Sequence, residues 1–525
     1  MALEREQPAA ESRTRTLTTV LVMACTAASR VFGYVRQALI SIYFGDAGAA
    51  DVMNAVFTIP NNLRKLFAEG AFSSAFIPVL SSTIAEDPTG GRSRELVRSL
   101  VAFQMVVLLP LVALSLIFPR TFVNLFTQFK DPAKMEMGIE LMRWMFNYIL
   151  LVSFSALVMA VLNTHGNFAI PALSPLMFTL ATVLALFFFH GSLGIVAQGV
   201  GVLAGGILQL ACQLPAFRRH GYLFRPSFRF RNPDFTKTAR LWVPYLASAS
   251  IVAINQYIAT IFASGLEDGS VTAIANSVMF LQIPLGIFMT SVATVLFPKM
   301  SRQAVDNDTE GLRNSVSYGV QFILILLVPS AVLLCLFGRE IIAATIQRGH
   351  FRPQGTFMAA RALTAYALGL VSMGLYTFLQ KLFNSFKSFA VPIGSAGLIA
   401  AVDIALSLVL KETSLRVSGL AYANSIAFTA GMLALGVLAR RRLGGIGMKA
   451  ITFTLGKALL GSLPMAALLV LFRLWRPDLW MQGGSLKATL LIAAAVAASV
   501  GLTLLMYAAL RVPFLTDLFR KRRTA

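Results

Sequence analysis

Charge is scarce in this chain. Only 13% of its 525 residues are Asp, Glu, Lys or Arg, 57% are hydrophobic, and mean hydropathy is +0.72, whereas a soluble chain carries about 25% charged residues. A water-soluble globular fold is excluded. At about 20 apolar residues per crossing the length leaves room for roughly a dozen or more spans and for no sizeable soluble domain. Acids are scarcer still, 23 against 45 Lys and Arg, giving +22; in a membrane chain such a surplus is first a topology signal and does not imply nucleic acid. Three cysteines, Cys25, Cys212 and Cys335, sit in apolar stretches and make neither a disulfide framework nor a metal cluster. The four histidines, His165, His190, His220 and His350, fall in expected loops without an HExxH pattern, and no Walker lysine motif is present. Enzyme chemistry is therefore not expected. GVGVLAGG at 199–206 lies inside a hydrophobic run with no preceding strand, so its small residues are read as close helix packing and not as a nucleotide loop.

Apolar runs between charged or Gly/Pro-rich breaks predict an all-α polytopic membrane protein of about fourteen helices. They fall at about 17–42, 50–84, 95–118, 138–163, 168–189, 193–216, 238–264, 270–298, 312–337, 357–384, 388–410, 415–439, 450–473 and 486–511. An even number places both termini on one side. The first sixteen residues mix acids with arginines and lack the pattern of a cleaved signal, so the first helix is expected to be retained. With cytoplasmic termini, that side receives Arg92, Arg94 and Arg98, the run Arg218 to Arg240, Arg313, the triplet Arg440 to Arg442 and the tail Arg520 to Arg523. The other side holds Asp46, Asp51, Glu267 and Asp268 with scattered bases, among them Arg120, Lys130, Arg339, Arg348, Arg352, Arg473 and Arg476. This is the asymmetry of the positive-inside rule. Each basic loop is read as orientation plus contact with anionic lipid heads.

The chain also contains a duplication. LNTHGNFAIP around Asn163 recurs as FNSFKSFAVP around Asn384, Ile59-Pro60 and Phe76-Ile77-Pro78 find counterparts in Ile283-Pro284 and Phe297-Pro298, and AFRRHG is echoed by ARRRLG. Repeats displaced by six helices keep their orientation, so two six-helix lobes related by a pseudo-two-fold along the membrane normal are expected, with substrate between them. The organisation predicted is a cytoplasmic segment 1–16, an N-lobe 17–220, a basic linker 221–237, a C-lobe 238–442, a helix pair 450–511 outside the duplication, and a basic tail 512–525.

Ionisable groups inside spans are the functional candidates, because each costs at least about 2.5 to 3.5 kcal/mol at the bilayer centre. Arg30 and Arg36 lie in the first helix, about 9 Å apart along its axis and about 120° apart around it. Arg64 lies in the second helix, with Asp51 at its start, Glu69 after it, and Ser29 and Asn61 as polar neighbours. The corresponding stretches of the second repeat, YLASASIVAINQYIAT and IPLGIFMTSVATVLF, carry no charge. A cationic patch in one lobe points to an anion, and guanidinium suits phosphate through its planar fork. Asp403 interrupts AAVDIALSLVL without an adjacent cation, and with Asn424 and Ser425 it is a candidate ion site. No cofactor is expected beyond a coupling Na+ or H+.

SRVFGYVRQALISIYFGDAGAADVMNAVFTIPNNLRKLFAEGAFSSAFIPVLS resembles the N-terminal signature of the MurJ (MviN) family, and the likeness continues through LNTHGNFAIPALSP, GVLAGGILQLACQLP and IPLGIFMTSVATVLFPKMS. The resemblance implies fourteen helices, with the last pair forming a groove for a polyprenyl tail. It further implies translocation of lipid II, undecaprenyl-pyrophosphoryl disaccharide-pentapeptide, across the bacterial inner membrane by alternating access, in support of peptidoglycan synthesis. By that resemblance Arg30, Arg36 and Arg64 are the cavity arginines and Asp51 their acidic companion. Some members hold a coupling ion between helices seven, eleven and twelve, where Asp403 falls. Lipid II, membrane lipids and the cell-wall synthesis machinery are the partners implied. Two positions depart from the family pattern: Gln37 stands where many relatives carry Asp, and Met279 where they often carry Arg. A flippase for another polyprenyl-linked oligosaccharide, or a cation-coupled multidrug exporter, is the alternative, but the latter should favour acidic and aromatic cavities.

Overall fold

The structure is a computed structural model that describes residues 3–67, 71–386, 388 and 390–512; within these, side chains are described except at 3–20, 65–67, 71–74, 244–245, 247–256, 290–291 and 293–294. Nineteen α-helices and one 3-10 turn account for the described chain, and no strand occurs among the described residues. Ten stretches of it are long and apolar enough to cross a membrane, and a bent helix pair makes an eleventh.

Two compact units divide the chain, one of Met1–Phe44 and Val52–Tyr257, the other of Gly45–Asp51 and Ile258–Ala525. The first is built from α1 (Leu3–Phe44), α2 (Ala49–Phe67), α3 (Ala71–Glu86), α4 (Gly91–Ile117), α5 (Pro119–Phe126), α6 (Pro132–Met145), α7 (Tyr148–Thr164), α8 (Ala169–Leu193), α9 (Val196–Ala211), α10 (Leu214–Arg219) and most of α11 (Pro233–Ser264). The end of α11 leads into the second unit: α12 (Ser270–Val305), α13 (Thr309–Ile346), α14 (Pro353–Leu368), α15 (Leu370–Ser385), α16 (Ala390–Leu410), α17 (Val417–Leu443), α18 (Met448–Trp475) and α19 (Leu486–Ala509). Each of the fourteen expected spans falls on one of these helices or on a consecutive pair. The fourth span of each repeat is divided, into α6 and α7 at Phe146-Asn147 and into α14 and α15, bent by 48°.

Local chemistry sets the helix ends. Asp131 accepts from the Ala133 N–H with Pro132 in the first turn of α6, Asp308 accepts from the Gly311 N–H at the start of α13, and Ser485 accepts from the Ala488 N–H at the start of α19; each satisfies one of the orphan donors of a helix start. Glycine matters where helices touch. In α9, a Cβ on Gly201 would lie 2.8 Å from Ala185 Cβ and one on Gly205 would lie 2.7 Å from the Phe178 carbonyl oxygen of α8. The packing reading of GVGVLAGG is thus correct: small residues let two backbones approach, which is how helices gain contact where lipid offers no hydrophobic drive. His190, expected in a loop, lies within the last turn of α8 and stacks on Tyr43 of α1 at 3.7 Å between ring centroids. α8 runs four residues beyond the apolar pattern before Gly194 ends it at φ 54°, a conformation that glycine adopts without steric cost.

The core of the first unit at one end gathers Phe76, Leu80, Leu96, Val97, Leu157 and Phe217. Along its edge the basic segment after α10 is strapped to α4: the Ser227 N–H donates to the Arg98 carbonyl at 3.0 Å, Tyr222 donates to Ser93, and Arg92 forks onto Asp234 at 3.0 and 3.2 Å. In the second unit α18 and α19 pack on α13 through Phe337, Met465, Leu469 and Ile492.

Candidate functional site

The arginines of the first unit do not share one environment. Arg30 is exposed on α1 and has no partner among the described residues, and Ser29 beside it is half-buried. Arg36, two turns on, is half-buried, its guanidinium 4.1 Å from the centroid of the buried Phe57 ring. Its Nε is buried without a hydrogen-bond partner. Arg64 of α2, also half-buried, lies close enough to Arg36 to interact electrostatically, as does Tyr148 of α7. Arg36 thus lies over one aromatic ring and within electrostatic range of a second cation and a second aromatic residue, with Asn61 half-buried one turn before Arg64 on α2. The ring face over Arg36 contributes about 0.5 to 2 kcal/mol of attraction. Glu69 lies outside the described residues. Gln37 is buried and Met279 half-buried, both neutral.

Asp51 has hydrogen-bond partners of its own in the second unit. It is buried in the second unit, where its carboxylate accepts from the Gly269 N–H at 2.8 Å, the Thr272 N–H at 2.9 Å and the Thr272 hydroxyl at 2.8 Å. These donors open α12, whose own N-cap is Gly269 with no side-chain cap. Asp46, in the same short segment, accepts from the Gly355 N–H at 3.1 Å at the start of α14, which likewise lacks a cap of its own. The segment 45–51 thus supplies carboxylates to two helix N-termini, where the macrodipole and the orphan N–H groups favour negative charge.

The expected ion-site residues are partly gathered. Asp403 of α16 is 1% exposed and accepts from Asn424 Nδ2 of α17 at 2.9 Å and from Ser407 Oγ at 3.2 Å. Tyr366 of α14 lies within electrostatic range, and no cation pairs with Asp403 among the described residues. Ser425 turns elsewhere, donating to the Ala365 carbonyl at 2.7 Å. The bend explains this: the Gly369 N–H turns to Tyr366, leaving the Ala365 carbonyl without its intrahelical donor, and Ser425 replaces it. α17 reaches that carbonyl because a Cβ on Gly369 would lie only 2.8 Å from Ser425 Cα. Ser407, one turn after Asp403, was visible in the sequence as an i,i+4 neighbour; Phe57, Tyr148 and Tyr366 carried no such signal. No group of three or more His, Cys, Asp or Glu residues able to hold a metal ion occurs among the described residues.

Outside the spans, the His165 and His220 rings lie 4.5 Å apart between centroids at a tilt of 41°, with Tyr222 edge-on to His165. Burial, and secondly the neighbouring His165, hold the His220 imidazole below its ordinary range.

Comparison with known proteins agrees with this architecture. A sequence profile described as "Lipid II flippase MurJ" matches residues 40–511. A protein of Borreliella burgdorferi named "Probable lipid II flippase MurJ" is 30% identical over 496 residues, 94% of this chain and 97% of that one. A Vibrio cholerae protein of the same name is 30% identical over 507 residues, 93% of this chain and 95% of that one. Among solved structures, "Lipid II flippase MurJ, inward closed conformation" superposes with a TM-score of 0.80 at 24% identity, covering 95% of this chain and 100% of that one. An inward-facing multidrug resistance transporter of the MATE family superposes with a TM-score of 0.68 at 12% identity, covering 79% and 94%. The profile match through 40–511, with relatives aligned over nearly their full length, shows that the chain belongs to the lipid II flippase MurJ family.

Proposed function

We propose that this protein moves lipid II from the cytoplasmic to the outer leaflet of the bacterial inner membrane by alternating access, with both termini cytoplasmic. Family membership supports the substrate, and one observation supports the contact: Arg36 and Arg64 are two half-buried cations within electrostatic range of each other, on α1 and α2. Two neighbouring guanidiniums with exposed Arg30 on the same helix suit a pyrophosphate, which offers two anionic groups to planar forks. A multidrug exporter for cationic compounds would place acids there instead. Asp403 is the group we assign to a coupling Na+ or H+, since Asn424 and Ser407 orient the carboxylate and leave its charge uncompensated.

Depletion in the native bacterium, followed by measurement of lipid II in each leaflet, tests the reading. Wild type restores outward movement, while Arg36→Ala and Arg64→Ala each lose about 10- to 100-fold in transport, the equivalent of one hydrogen bond to a charged group at about 1.5 to 3 kcal/mol. Unchanged lipid II distribution on depletion, or full rescue by both variants, sinks it.

A further inference from the structure

The cations scattered through one side of the sequence are not scattered in the second unit. α13 begins beside the end of α17, since Arg313 donates to the Leu443 carbonyl at 2.7 Å next to the Arg440–Arg442 triplet. The far ends of α13 and α18 therefore lie on the opposite face, where the positive-inside rule disfavours Lys and Arg. There the structure brings Arg339 and Arg473 onto a single oxygen, Glu340 Oε1, at 2.9 and 3.6 Å. Glu340 is 3% exposed and its Oε2 has no partner, so the burial of this carboxylate is compensated through that one oxygen, which in turn holds the two guanidiniums together. Arg339 also lies 4.6 Å over the Trp480 ring, whose position the Gln347 amide fixes by donating to the Trp480 carbonyl at 3.1 Å. Arg476 is stacked 5.1 Å from Trp475, which is 64% exposed. One acid thus holds two guanidiniums, and a third, Arg476, follows three residues after Arg473, all beside two tryptophans; tryptophan in a spanning protein marks the headgroup layer.

We propose that Arg339, Arg473 and Arg476 form a binding site for a phosphate-bearing lipid headgroup on the membrane face opposite the Arg440–Arg442 triplet. Guanidinium edges not used by Glu340 take the phosphate oxygens, Trp480 and Glu340 hold Arg339 and Arg473, and Trp475 supports Arg476. The phosphate can come from a resident anionic phospholipid or from a polyprenyl pyrophosphate on that face; the site is separate from the Arg36 and Arg64 pair, and its test leaves that pair intact.

The test is lipid binding to the purified full-length protein, using phosphatidylglycerol and undecaprenyl pyrophosphate as separate probes against phosphatidylcholine as competitor. R473Q/R476Q leaves Glu340 paired with Arg339 and is expected to lower affinity about tenfold, about 1.4 kcal/mol, for at least one anionic probe, with Arg120→Gln unchanged as the control. Loss for phosphatidylglycerol identifies the phospholipid, and loss for the pyrophosphate identifies the polyprenyl lipid. Wild-type affinity of R473Q/R476Q for both probes overturns the site. Phenylglyoxal footprinting of the wild-type protein gives a readout independent of variant folding: a bound probe should shield Arg473 and Arg476, and equal modification with and without both probes also overturns it.

Discussion

Asp51 offers the sharpest test of how the fold spends its acids. Replacing it with alanine removes three acceptor contacts from the start of α12, at 2.8, 2.9 and 2.8 Å, and leaves two backbone N–H groups unsatisfied where the carboxylate is 1% exposed. Loss of a side-chain cap costs about 0.5 to 2 kcal/mol, and each buried donor left without a partner adds about 1 to 3 kcal/mol; with partial relaxation the first turn loses about 2 to 4 kcal/mol. At tenfold per about 1.4 kcal/mol, amide exchange in residues 269–277 should accelerate about 30-fold to several hundred-fold, read by hydrogen–deuterium exchange with peptide resolution. Asp51→Asn keeps one acceptor oxygen and should fall between alanine and wild type. Thr272→Val removes the hydroxyl contact alone, and its effect should shrink in the Asp51→Ala background by about 0.5 to 3 kcal/mol, the coupling expected of touching residues. The peptide containing Gly355, capped by Asp46, serves as the internal control. Unchanged exchange in 269–277 after Asp51→Ala would refute the capping role.

Three further outcomes follow from the same geometry. Gly205→Ala puts a Cβ 2.7 Å from the Phe178 carbonyl oxygen, where backbone must move, and should cost about 1 to 3 kcal/mol, seen as a lower unfolding midpoint; Gly33→Ala in α1, with nothing within 4 Å of the added Cβ, should leave the midpoint equal or higher. Asp403→Asn keeps the hydrogen-bonding shape but not the charge, and should weaken the apparent affinity for the coupling cation by about tenfold or more, about 1.4 kcal/mol, in a transport assay across a cation gradient without loss of membrane insertion; an unchanged cation dependence removes the assignment. Because the folded His220 imidazole is held below its unfolded value by burial and then by His165, the unfolded chain binds the proton more readily, so stability is full above about pH 6.5 and declines as pH falls through that range towards the folded value. Unfolding midpoints between about pH 8 and about pH 5 should show the decline in wild type and a shallower one in His220→Gln.

Spans were legible because lipid leaves the chain one solution: backbone groups must be satisfied within a helix of fixed minimum length, and hydropathy records that directly. The divisions at Phe146-Asn147 and Gly369 were not, since an apolar run carries no mark of where its hydrogen bonding is interrupted when a partner such as Ser425 repairs it from another helix. Arg36 and Arg64 stood out on cost alone, and in the fold Arg64 lies within electrostatic range of Arg36. What surrounds them, Phe57 and Tyr148, could not be read, because an aromatic residue in a span looks like any other apolar contact. Asp51 illustrates the limit from the other side. Its place at a helix start near the arginines suggested one set of partners, while its hydrogen bonds reach residues 218 and 221 positions away, a pairing that no local pattern encodes.

The scarcity of acids gives the last distinction. Four carboxylates are buried among the described residues: Asp51, Asp234, Glu340 and Asp403. Asp51 faces the N–H groups that open α12, Asp234 is forked by Arg92, and Glu340 holds two arginines. Each of those charges is met by a full or partial positive charge, as burial of an ion requires. Asp403 alone of the four has neutral donors, Asn424 and Ser407, and neither a guanidinium nor a helix start. Two neutral hydrogen bonds orient a carboxylate but do not cancel its charge. Among the described residues the other buried acids have fixed positive partners, and this contrast is the ground on which we propose Asp403 as the coupling site.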